Sequence, residues 1–147
     1  MRYEEAASLR WIDVDFDKQV LHIREHGGFK PKTKNANRTI PISDRLLTEL
    51  VDLKKNPYST ELVFATKSGG TITQHAAIYR CKKAAKQAGI ERVAKLHKFR
   101  SSFASHPVQK GVKIQDVSKL LGHSSISETE IYAYLAPDDM HIQVNVI

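Results

Sequence analysis

In residues 19–24 and 38–42 apolar side chains recur at every second position, and on both sides of that region they recur three to four residues apart. The first spacing predicts strands and the second helices. Gln19 to Arg24 places Leu21 and Ile23 on one face, and Arg38 to Ile42 does the same with Ile40 and Ile42. The two read as an antiparallel hairpin. Ahead of them, Arg2 to Trp11 is rich in helix formers, with apolar positions at Ala6, Leu9 and Trp11, and a turn with Asp13, Asp15 and Asp17 follows. The helical pattern starts with no capping residue before it, which predicts a boundary cut through a larger domain.

Beyond the hairpin, Ser43 reads as the N-cap of a helix that buries Leu46, Leu50 and Leu53 and stops by Asn56-Pro57. Leu62 to Ala65 reads as a short strand. Thr73 caps the next helix, with an apolar stripe of Ala77, Cys81, Ala84, Ala85 and Ala88 and a stop at Gly89. A helix from near Lys98 is expected to end by Gly111, shortened or kinked by Pro107. Lys113 to Leu121 follows, with Ile114, Val117 and Leu120 inward and Gly122 as the stop. Ser127 and Glu130 match a capping box and predict the start of a last helix, with Ile131 and Leu135 toward the core. After Pro137 the tail alternates Ile142, Val144 and Val146, a strand pattern.

A chain of 147 residues with 41% hydrophobic and 27% charged residues is long enough for one core and too apolar for wholesale disorder. A formal charge of +7 favours a polyanionic partner. The lone Cys81 precludes an internal disulfide and suits a reducing compartment. There is no CxxC, HExxH or acidic calcium loop, no bilayer-length apolar run and no signal-peptide pattern. A cytoplasmic protein without metal or other cofactor is the expectation.

The chemistry-bearing residues gather in the last third: His97-Lys98-Phe99-Arg100, then Leu120-Leu121-Gly122-His123, then Tyr132. Cutting DNA without a metal needs a nucleophile for phosphorus, cations for the non-bridging oxygens and an acid for the leaving sugar oxygen. Arginine suits the second task because its planar fork binds phosphate oxygens in pairs and stays charged. His97 and Arg100, three apart, share a helix face. Tyr132 and Tyr134 stand about 200° apart on a helical wheel, so only one of them can face a given phosphate. Taken singly, each residue has a plain structural reading: a surface tyrosine, a helix-end histidine, an ion-paired arginine. Their joint spacing argues against those readings.

That spacing, HxxR, then LGHSS, then a tyrosine nine residues after its histidine, resembles the tyrosine recombinase (phage integrase) family. The opening MRYEEAASLRWIDVD is similar to the family's first box, and KPKTKNANRTIPIS to its β-hairpin. The resemblance covers nearly the whole chain and implies a single α+β catalytic domain over residues 1–147, of the DNA breaking-rejoining type. Such a domain is mainly helical with a small antiparallel sheet, here lacking the family's N-terminal helices and any upstream core-binding domain. It implies Tyr132 as the nucleophile, Arg2 and Arg100 as the phosphate-binding arginines, and His97 and His123 as the assisting histidines. It also implies Glu5 as the structural partner of Arg2 and Lys32 as the hairpin lysine, with Lys34 its rival. Lys30, Lys34, Arg38, Arg80, Lys82, Lys83 and Lys98 are the expected DNA-binding residues, although the basic face carrying Arg80, Lys82 and Lys83 reads by itself as a solvated surface. The implied function is site-specific recombination or integration through a 3′-phosphotyrosyl intermediate on double-stranded DNA, with self-association into a tetramer.

Ser101 departs from the family, which usually has histidine there, and Pro107 interrupts a normally unbroken helix. Two other readings stand beside this one. The segment IQDVSKLLGHSSISETEIYAYL passes for a helix-turn-helix DNA reader without chemistry, or for an inactive recombinase remnant. A relative of type IB topoisomerases would share the chemistry without site specificity. The alternating tail is expected to dock on a neighbouring subunit's sheet edge.

Overall fold

The computed structural model describes residues 1–26, 37–55, 61–90 and 96–135. Helix α1 (Tyr3–Ala7) leads through a 3-10 turn (Trp11–Asp13) into a three-stranded antiparallel sheet of β1 (Val14–Asp15), β2 (Val20–Ile23) and β3 (Arg38–Pro41), in that order. Helices α2 (Asp44–Lys54), α3 (Gln74–Gln87), α4 (Leu96–Gln109), α5 (Ile114–Leu121) and α6 (Ser127–Glu130) follow, and a 3-10 turn (Ala133–Leu135) ends the described chain. The expected hairpin forms, with Leu21 opposite Ile40 and Ile23 opposite Arg38. A third strand, β1, comes from the stretch expected to be only an Asp-rich turn.

Among the described residues two apolar clusters form. Leu9, Val14, Leu21, Ile23, Ile42, Leu50 and Val63 pack around one face of the sheet. Ala104, Val108, Val117 and Leu121 pack where α4 meets α5, with Tyr132 and Leu135 against them. Alternation is decisive for the sheet: Leu21 and Ile23 are buried while their neighbours Val20 and His22 are only half-buried.

The helical stripes differ from expectation in rotation more than in extent. In α1 the buried positions are Glu5 and Ala7, and the helix ends before Leu9 and Trp11. In α2, capped as expected by the Ser43 hydroxyl, Leu50 is buried and Leu47 and Leu53 pack on the sheet cluster, while Leu46 is 40% exposed. Leu46 and Leu47 both fit a helical repeat through Leu50, and the sheet takes the second. In α5 the inward residues are Val117, Ser118 and Leu121, with Ile114 and Leu120 half-buried. Helix α3, capped by Thr73, has no buried residue: Ala77, Cys81 and Ala85 are half-covered, Ala84 and Ala88 exposed. Alanine is the strongest helix former and loses little when exposed, so an alanine stripe marks helicity more than burial.

Three further expectations are corrected. Residues 62–65 form no strand but two single bridges, Arg10 with Leu62 and Ala65 with Thr71. Helix α4 begins at Leu96 and runs through Pro107, which lies in its last turn; Gly111 then takes a left-handed φ of 80°. Ser127 is not a cap. Ile126 holds that position without a side-chain bond, and α6 runs only four residues before the chain tightens into the 3-10 turn. Residues three apart eclipse in such a turn, so Tyr132 and Leu135 share the inner side and Ile131 is 63% exposed. Lys30, Lys32, Lys34 and the alternating tail lie outside the described residues.

Candidate active site

The three boxes of sequence meet in one cleft of about 410 Å³, lined by Arg2, His97, Arg100, Ser101, Ala104, Leu121, His123, Glu128, Ile131 and Tyr132. Each element delivers its residue by local rules. Arg2 occupies the extended N-cap position of α1, where its backbone N–H meets the Glu5 carboxylate at 2.6 Å. His97 and Arg100 lie three apart on α4 and reach the same cleft. Gly122, left-handed at φ 67°, turns the chain out of α5 and sends His123 toward the cleft. The tightening after α6 then brings Tyr132 to its wall, whereas Tyr134 is 81% exposed.

Charge is concentrated here. Arg100 is 6% exposed and donates from Nη2 to the Leu121 carbonyl at 2.6 Å. Burial, with the Arg2 cation beside it, lowers its pKa to about 10, which still leaves it charged at neutral pH. The Nη1 atoms of both Arg2 and Arg100 are buried and, among the described residues, have no hydrogen-bond partner. For Arg2 the nearest compensation is the Glu5 carboxylate at 3.6 Å, an ion pair beyond hydrogen-bonding reach. Two desolvated donors of this kind are costly unless an anion completes them. His123 is held below the usual histidine range by burial and by the Arg100 cation, so its ring is neutral near pH 7.

Glu5 is shared differently from the expectation that made it the partner of Arg2. Its principal partner is Arg38, whose Nη1 and Nη2 donate to the two carboxylate oxygens at 3.1 and 2.9 Å. Arg38 Nε donates to the Leu120 carbonyl at 2.9 Å, and its side chain is 7% exposed. The fork expected on phosphate is thus occupied inside the protein. Arg80, Lys82 and Lys83 are exposed on α3, and Lys98 is exposed on α4. With Lys86, the α3 residues span an arc of about 160° at 100° per residue, opposite the half-covered alanines.

Two residues at the site carry no signal of their own in the sequence. Thr129, fully buried, places Oγ1 2.6 Å from His123 Nδ1. Glu128 accepts from the Ser124 backbone and hydroxyl at 3.2 and 2.9 Å and shapes the turn after His123. Both belong to the stretch that matches a capping box, a pattern that explains such residues by the backbone alone. Ser101 lies on the cleft and donates to the His97 carbonyl at 3.3 Å. Among the described residues no group of three or more His, Cys, Asp or Glu side chains is placed to hold a metal ion, and no helix is long and apolar enough to cross a membrane.

Known proteins resemble the chain over most of its length. The chain is 31% identical over 169 residues to a "Tyrosine recombinase XerC-like" protein of Caldanaerobacter subterraneus subsp. tengcongensis, covering 93% of this chain and 43% of the relative. It is 30% identical over 137 residues to tyrosine recombinase XerC of Xanthomonas axonopodis pv. citri, covering 92% of this chain and 43% of that protein. The chain therefore spans less than half the length of these relatives. Among solved structures, XerA recombinase superposes over 98% of this chain and 52% of its own, with a TM-score of 0.76 and 20% identity, a likeness of fold. The catalytic domain of bacteriophage HP1 integrase superposes over 99% of this chain and 73% of its own, with a TM-score of 0.67 and 28% identity. The Tn1549 transposon integrase, solved in complex with circular intermediate DNA, shares the fold over 99% of this chain and 55% of its own, with a TM-score of 0.76 and 19% identity. The profile of the phage integrase family matches residues 1–138, and the chain belongs to that family.

Proposed function

We propose that this chain is the strand-cutting part of a site-specific DNA recombinase, acting on double-stranded DNA through a covalent 3′-phosphotyrosyl intermediate. The observation that carries the reading is the pair of buried guanidinium nitrogens on Arg2 and Arg100, without a hydrogen-bond partner among the described residues, in the cleft that also holds Tyr132. A phosphodiester offers two non-bridging oxygens, and two arginine donors at the cleft wall match that demand.

In the proposed reaction Tyr132 Oη attacks phosphorus, and the bond to the 5′ oxygen of the next nucleotide breaks. Arg2 and Arg100 offset the charge that builds on the non-bridging oxygens. His97 accepts the phenol proton directly or through the phosphate, and His123 hydrogen-bonds a phosphate oxygen. Lys32 gives a proton to the leaving 5′ oxygen, with Lys34 as its alternate. The phosphotyrosine keeps the energy of the broken bond, so a 5′ hydroxyl reverses the step without a nucleotide cofactor.

A pure DNA-binding module is the weaker reading. A recognition helix must run along the major groove, and α6, at four residues, is about 6 Å long. The test is covalent chemistry. The intact protein, incubated with a nicked suicide duplex, is expected to yield a protein–DNA adduct that Tyr132→Phe abolishes. Binding without any adduct would leave the module, and relaxation of supercoiled plasmid without site preference would favour a topoisomerase-like activity.

A further inference from the structure

Thr129 has no exposed surface, and its Oγ1 lies 2.6 Å from His123 Nδ1, six residues back along the chain. We propose that Thr129 is a positioning residue: its hydroxyl donates to Nδ1 of His123 and so holds the imidazole as the tautomer protonated on Nε2. The nitrogen left for the cleft is then a hydrogen-bond donor. This inference rests on the reading of the cleft as a phosphate site.

The direction of the bond follows from the burial of the hydroxyl. A threonine hydroxyl can donate or accept. Among the described residues His123 Nδ1 is the hydrogen-bond partner of Oγ1. If Oγ1 accepted from Nδ1–H, its own hydrogen would be buried and unpaired, which costs more than an ordinary hydrogen bond is worth. Donation leaves nothing unmet.

The consequence for His123 depends on its charge. Burial lowers its affinity for a proton, and the cations of Arg100, Arg2 and Arg38 act in the same direction, while Glu128 opposes them. The ring is therefore neutral near pH 7 and carries a single N–H. With that hydrogen on Nδ1, the ring would present a lone pair to anionic phosphate oxygens. With it on Nε2, the neutral ring donates to them. One buried hydroxyl thus decides whether His123 attracts or repels the phosphate. Thr129 also lies three residues before Tyr132, so the same turn that seats the hydroxyl carries the nucleophile.

The test uses the intact protein with 15N-labelled histidine, the His123 ring being assigned by its loss in His123→Gln. Long-range 1H–15N correlation at neutral pH is expected to show Nε2 protonated in the wild type. It should show loss of that preference in Thr129→Val, which keeps the shape, and retention in Thr129→Ser. On the suicide duplex, Thr129→Val is expected to form adduct on the order of tenfold more slowly, the worth of one hydrogen bond, at unchanged DNA affinity, and Thr129→Ser to recover most of the rate. A wild-type ring protonated on Nδ1, or on both nitrogens, overturns the proposal, as does an unchanged tautomer in Thr129→Val. If the wild type makes no adduct at all, the recombinase reading fails, and the ring spectrum still decides the tautomer. The wild-type spectrum decides it equally if Thr129→Val does not fold.

Discussion

Arg38 and Glu5 grip each other through two hydrogen bonds, 3.1 and 2.9 Å long, with both side chains almost sealed from solvent. The pair joins β3 to α1, and through Arg38 Nε and the Leu120 carbonyl it also joins the sheet to the end of α5. The sheet cluster and the helical cluster are thereby locked at the point from which Arg2 and His123 enter the cleft. Removing one partner of a buried pair strands the other charge. Arg38→Ala is therefore expected to cost about 3–5 kcal/mol in denaturant unfolding. Because the fork is engaged internally, the salt dependence of DNA binding by whatever protein remains folded should be unchanged.

The same pair predicts an acid sensitivity. Burial pushes the Glu5 carboxyl up, but hydrogen bonds from the Arg38 side chain and the Arg2 backbone outweigh it, and the net pKa lies below the ordinary 4.5. A carboxyl depressed in the folded state contributes stability that is fully present above 4.5 and is lost as pH falls through its folded value. Stability measured against pH should fall in that acid window, and Glu5→Gln should flatten the fall while lowering stability at neutral pH. A slope identical in wild type and Glu5→Gln would refute the assignment.

Gly122 is expected to resist substitution more than any ordinary stop glycine. A Cβ there would meet Arg38 Nη1 at 2.7 Å and Cζ at 2.9 Å, on a backbone at φ 67°. The end of an arginine usually moves aside cheaply, but this one is pinned by Glu5 and the Leu120 carbonyl. Gly89 is the internal control, with a similar φ of 71° and, among the described residues, nothing within 4 Å of its added Cβ. Gly89→Ala should lose about 1–2 kcal/mol, the backbone cost alone. Gly122→Ala should lose clearly more, and equal losses would mean that Arg38 yields easily.

Arg100 lends itself to a conservative test. Lysine keeps the charge but loses the fork that reaches both the Leu121 carbonyl and the cleft. If the unpartnered Nη1 serves a phosphate oxygen, Arg100→Lys should slow adduct formation by about 10²–10³-fold, the usual effect of losing one preorganised donor. DNA affinity should change much less. A proportionate loss of both would reassign Arg100 to ground-state binding.

The exposed basic face of α3 should show itself in salt dependence. Lys82→Glu and Lys83→Glu are expected to weaken DNA binding at all sequences. Each should also lower the slope of log affinity against log salt by about one for every phosphate the protein no longer neutralises. Thermal unfolding should hardly move, because both residues are exposed on a helix with no buried residue. Unchanged affinity would return this face to plain solvation.

Particular residues divide what is legible in the sequence from what is not. Spacing singles out His97, Arg100, His123 and Tyr132, and the first box singles out Arg2; the fold gathers all five on one cleft. The sequence points Arg38 at the DNA because an arginine beside a lysine-rich loop looks the same whether its fork is exposed or occupied. Its occupant, Glu5, lies 33 residues away. Ile131 is expected inward because a capping box implies a continuing helix; the chain tightens instead, and Tyr132 takes the inner side with Leu135.

The order of amino acids determined the strand alternation, the caps at Ser43 and Thr73 and the stop at Gly122. These depend on neighbours within a few positions, where backbone geometry sets which side chains meet. Tertiary structure alone decided which of two adjacent leucines faces the sheet, that Arg38 serves the interior, and that Thr129 touches His123. Those outcomes depend on segments remote in sequence or on a local helix that ends early, and residue periodicity is blind to both.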